Sequence, residues 1–79
     1  MTDNEILQRI QKVYNEVMGR TDVVLKPGTR LIRSEEISSF VLMELIVAIE
    51  EEFDIELTYS VIRSMRTIRG LIKHIKNQN

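Results

Sequence analysis

The chain has 79 residues, no cysteine, no tryptophan, one proline, one histidine and a formal charge of −1 from 11 basic and 12 acidic side chains. This excludes a disulfide framework, a thiolate metal site, a cysteine nucleophile and a histidine-pair metal site. Near-neutral charge gives no overall field toward nucleic acid or an anionic membrane, and 43% apolar residues are ordinary for a folded chain.

The polar, acidic start Met1-Thr2-Asp3-Asn4-Glu5 is the opposite of a signal peptide. Thr2 with Glu5 has the spacing of a capping box. Ile6, Ile10, Val13 and Val17 then recur at helical spacing, with Leu7 and Tyr14 widening the stripe and Gly19 as C-cap. A first helix is therefore expected over 2–18. Residues 20–37 form a long connection with a Pro27-Gly28 turn signal. Its apolar residues Val23, Val24, Leu25, Leu31 and Ile32 predict a loop folded back on the core. A second helix is expected over 38–53, opened by Ser38 or Ser39, both good N-caps. A short third helix is expected over 58–65. The last, over 67–76, has Thr67 as its N-cap candidate and the stripe Ile68, Leu71, Ile72, Ile75. The longest apolar run, Phe40 to Ile49, has ten residues including one Glu, far short of the ~20 that span a bilayer. These features predict one all-α domain over 1–79: a four-helix bundle with a long first connection, monomeric and cytoplasmic.

The second helix is unusual. At 100° per residue, Leu42, Leu45, Ile49 and Phe53, with Ile46 at the margin, face one side. Phe40, Met43, Glu44, Val47, Glu50 and Glu51 face the other. A surface helix normally presents polar residues there. Apolar side chains rimmed by carboxylates have the character of a partner-docking face, unless the long connection or the third helix covers them. Ser39 sits at the positive end of this helix, where phosphate is favoured. No base is paired with it. His74, on the last helix, reads as a solvated surface residue, so no catalytic constellation is predicted.

Ser38-Ser39-Phe40, then Glu44-Leu45, then Ala48-Ile49-Glu50-Glu51-Glu52-Phe53-Asp54-Ile55-Glu56-Leu57 resembles the second helix of acyl carrier proteins. The likeness runs without a gap from about Ile37 to Ile75, through Thr67-Ile68 at the start of the last helix. The resemblance implies a four-helix carrier in which Ser39 bears 4′-phosphopantetheine, attached by a separate phosphopantetheinyl transferase. The arm's thiol would hold acyl or aminoacyl groups as thioesters, and acyl-transferring or acyl-activating enzymes would be the partners. It also implies docking through the outer face of the second helix, and an acyl pocket among Leu45, Ile49, Phe53, Ile62, Leu71 and Ile72. Three positions depart from the family pattern: Ser38 replaces its Asp, Val41 an acidic residue and Glu36 a Gly. The alternative function is a carrier-like interaction module that is not modified.

Arg66, Arg69, Lys73 and Lys76 fall within an arc of about 80° on the last helix, with Arg63 just upstream. They read either as a solvated face or as a second docking face, for which Arg63, Arg66, Arg69 and Lys73 are the candidates. Nucleic acid is not the expected partner, because no aromatic side chain interleaves these cations.

Overall fold

The computed structural model describes residues 1–30 and 39–78, Ser39 by its backbone alone. Expectations concerning Leu31, Ile32, Glu36, Ile37 and Ser38 lie outside the described residues. Among the described residues four helices follow one another: α1 Asp3–Met18, α2 Ser39–Phe53, α3 Tyr59–Ser64 and α4 Ile68–Gln78.

Caps close both ends of α1 and α3, and a turn closes the C-terminal end of α2. In α1 the Thr2 hydroxyl accepts from the Glu5 N–H at 3.1 Å, and the Thr2 N–H donates to Glu5 Oε1 at 2.9 Å. Gly19, at φ 66°, ends it in the left-handed region that a residue without Cβ adopts freely. Asp54, at φ 52°, turns the chain out of α2, and the Ile55 N–H closes back on the Glu50 carbonyl at 3.2 Å. Thr58 caps α3 by accepting from the Val61 N–H at 3.2 Å.

The start of α4 is built differently. Thr67 stands immediately before the helix, but the first N–H groups go to the long connection. Ile68 donates to the Thr29 carbonyl at 2.9 Å and Arg69 to the Pro27 carbonyl at 2.8 Å. Arg30 and Thr67 form an isolated antiparallel bridge beside them. The orphan donors of a helix start are thus satisfied by backbone from about forty residues upstream.

The core gathers Ile6, Ile10 and Val13 of α1, Leu42, Leu45, Ile46, Ile49 and Phe53 of α2, Ile62 of α3 and Ile68, Leu71, Ile72 and Ile75 of α4. Leu25 and Leu57 join it from the connections. Each such aliphatic side chain contributes about 1.5–3 kcal/mol on burial. No polar or charged residue among those described is buried, so apolar packing dominates. The first connection does fold back through Leu25 and the partly buried Val23, but Val24 is 70% exposed. Alternation along an extended segment puts Val24 on the solvent side of its neighbours.

Candidate modification site and docking surfaces

Ser39 is the first residue of α2. That helix runs 15 residues and has no acidic side chain in its first turn. The positive end of its macrodipole therefore stands beside a hydroxyl-bearing residue with no first-turn carboxylate to repel a phosphodiester. The residues present fit a phosphate-linked group at this place.

The outer face of α2 is open. Phe40 is 74% exposed, Met43 45% and Val47 46%; neither the described part of the long connection nor α3 covers them. With Glu44, Glu51, Ala48 and Val17 from the end of α1, they line a shallow groove. Glu50 is turned away from this surface. It is half-buried, and its Oε2 accepts from the Leu57 N–H at 2.9 Å. The carboxylate that helical geometry assigned to docking instead fixes the α2–α3 connection. A helical wheel has no information about that connection's unpaired amide.

The six residues expected to form an acyl pocket are all buried, but among the described residues they line different cavities or none. Leu45, Ile49 and Leu71 line a cleft of about 480 Å³ with Ile10 and Tyr14 of α1 and Val23 to Leu25 of the connection. Phe53 and Ile62 belong to the packed core outside it. Ile72 lines a different groove, between α1 and α4.

The basic residues also separate. Arg63 lies over the Tyr59 ring at 5.7 Å and donates to its hydroxyl at 3.2 Å. Arg66 is exposed. Arg69, Lys73 and Lys76 line the α1–α4 groove, and Lys76 pairs with Asp3 at 2.8 Å. His74 is half-buried: its Nε2 lies against the Gln78 amide and 3.4 Å from the Glu56 carbonyl. These are structural contacts at the end of α4.

Two residues that hold the frame have no sequence signal. The Gln11 amide donates to the Val23 carbonyl at 2.8 Å, and its oxygen accepts from the Leu25 N–H at 2.7 Å. Arg9 donates to Glu52 Oε2 at 2.8 Å and lies 4.6 Å from the Phe53 ring centroid. Both bind groups distant in sequence, which local periodicity cannot reveal. No helix among the described residues is long and apolar enough to cross a membrane.

A four-helix bundle that sets a serine at the mouth of its long second helix, beside an exposed apolar and acidic face, has the build of a carrier domain. The family model for the phosphopantetheine attachment site matches residues 8–75, and the chain belongs to that family. It is similar to the acyl carrier protein of Cyanidioschyzon merolae (strain NIES-3377 / 10D), with 29% identity over 75 residues, 95% of this chain and 82% of the relative. It is also similar to the acyl carrier protein of Buchnera aphidicola subsp. Schizaphis graminum (strain Sg), with 28% identity over 76 residues and 96% of both chains. Membership implies a covalently attached 4′-phosphopantetheine group.

Proposed function

We propose that Ser39 is the attachment residue, and that the chain carries acyl or aminoacyl groups to partner enzymes in fatty acid, polyketide or related biosynthesis. It does no bond-making itself and acts as a cytoplasmic monomer. The observation that carries this reading is the place of Ser39 at the start of α2, directly before the exposed Phe40 and its groove. When attached, the group supplies a terminal thiol that holds cargo as a thioester.

The chain's own residues set where that chemistry occurs. Glu44 and Glu51 offer carboxylates to basic patches on transferases and acyl-handling enzymes, which raises encounter rate and fixes register. Phe40, Met43 and Val47 supply the apolar contact between them. The cleft lined by Leu45, Ile49 and Leu71 has the apolar walls to shelter an acyl chain from water.

The test is loading. The chain is treated with a phosphopantetheinyl transferase and coenzyme A, then with an acyl-activating enzyme. A thioester cleaved by hydroxylamine is expected; failure to load after confirmed modification would contradict the carrier reading. Ser38, in place of the family's Asp, is the feature that favours the alternative of an unmodified interaction module, which predicts no modification by any transferase.

A further inference from the structure

Between the N-terminal half of α1 and the outer side of α4 lies a groove of about 880 Å³ that the carrier function does not use. Its floor is apolar, with Leu7, Pro27 and Ile72. Its rim is cationic, with Arg69, Lys73 and Lys76 at helical positions i, i+4 and i+7. These span about 10 Å along α4. Lys76 is engaged by Asp3, whereas neither Arg69 nor Lys73 has an ion-pair partner among the described residues.

We propose that this groove docks an acidic amphipathic segment of a partner protein. Its carboxylates would meet Arg69 and Lys73, and its apolar side chains would cover Leu7, Pro27 and Ile72. The chemistry of the rim and floor selects this occupant. An anionic bilayer fits poorly: Asp3 stands in the rim, and none of the large exposed apolar side chains among the described residues, Met1, Val24, Phe40, Met43, Val47 and Tyr59, lines the groove. Nucleic acid fits poorly because no aromatic side chain lines the groove for stacking.

Position gives the surface a consequence. The α1–α4 groove takes Asp3, Asn4 and Leu7 from the start of α1, whereas the α2 face takes Val17 from its end. Leu7 and Val17 are about 15 Å apart at helical rise. A partner on α4 therefore leaves the α2 face open, and a carrier tethered there still reaches its enzymes through α2.

The probe is a synthetic helical peptide with Leu and Glu on one face, titrated into the ¹⁵N-labelled 79-residue chain. The expected result is amide shifts at Leu7, Gly70 and Ile72 but not at Met43 or Val47. Affinity should fall about tenfold or more with added salt, and again in Arg69→Glu/Lys73→Glu, whose circular dichroism and rate of phosphopantetheinylation should be unchanged. The neutral variant Arg69→Gln/Lys73→Gln should fall between. The proposal is overturned by an absence of shifts at millimolar peptide, or by equal binding of a peptide with Lys for every Glu. A larger response of the same amides to phosphatidylglycerol vesicles would assign the groove to a membrane. Self-association lost in the Arg69→Glu/Lys73→Glu variant would assign it to the acidic α2 face of a second copy. Either would also overturn the proposal.

Discussion

Gln11 holds the first connection from inside a helix, giving its amide to the Val23 carbonyl and its oxygen to the Leu25 N–H. Removing it leaves two partly buried backbone groups unpaired. Gln11→Ala should therefore cost about 1–3 kcal/mol in chemical denaturation, with faster hydrogen exchange at Leu25. Phe53 is the anchor at the end of α2: it is buried among aliphatic side chains and covered by the Arg9 guanidinium. Phe53→Ala should cost ~3–5 kcal/mol; a much smaller loss would show that the core collapses around the gap. Glu5 reports on the α1 cap. Hydrogen bonds from Thr2, first from its backbone and then from its side chain, hold the Glu5 carboxyl below the ordinary glutamate value. A lowered folded-state pKa contributes stability above the ordinary value, and that contribution is lost as pH falls through the folded one. Thr2→Ala keeps the backbone bond, so an NMR titration should show Glu5 moving only part of the way back. The same substitution should cost about 1 kcal/mol of stability through the lost cap.

At the scale of elements, α2 separates folding from proposed docking on its two sides. Leu42, Leu45, Ile46, Ile49 and Phe53 are buried, whereas Phe40, Met43 and Val47 are left to solvent at no cost to the core. Reversing charge on the open side should then change encounter without changing stability. Glu44→Lys with Glu51→Lys should slow modification and acyl transfer at low salt, with the difference shrinking as salt rises and an unchanged melting curve. Equal rates at low salt would remove the α2 face from docking. The same helix shows how much a sequence can disclose. A 3.6-residue period is a local property, so the stripe of α2 and the make-up of its outer face are legible from residue spacing, whereas the openness of that face depends on where its neighbours lie. Glu50 is not legible, because its partner is the Leu57 amide beyond the end of the helix. The start of α4 is not either. Thr67 stands in the N-cap place, yet the N–H groups behind it belong to Thr29 and Pro27, a long-range pairing with no local signature. Of the six residues that the resemblance assigns to an acyl pocket, burial of Leu45, Ile49, Phe53, Leu71 and Ile72 follows from the stripes of α2 and α4, but which of them border a cavity depends on how the connection through Val23 and Leu25 lies against α1.

For the molecule as a whole, a net charge of −1 conceals two unlike surfaces. One end of α1 borders an apolar face rimmed by Glu44 and Glu51, and the other borders a groove rimmed by Arg69, Lys73 and Lys76. The carrier reading places the cargo arm at the first of these, on the residue that opens α2. Everything proposed for the α2 face depends on that attachment, and intact mass tests it most directly. The chain and its Ser38→Ala and Ser39→Ala variants are each incubated with a phosphopantetheinyl transferase, coenzyme A and Mg²⁺. The account predicts a gain of about 340 Da in the parent chain and in Ser38→Ala, and none in Ser39→Ala. A gain that survives Ser39→Ala, or no gain in the parent chain with any of several transferases, would contradict it.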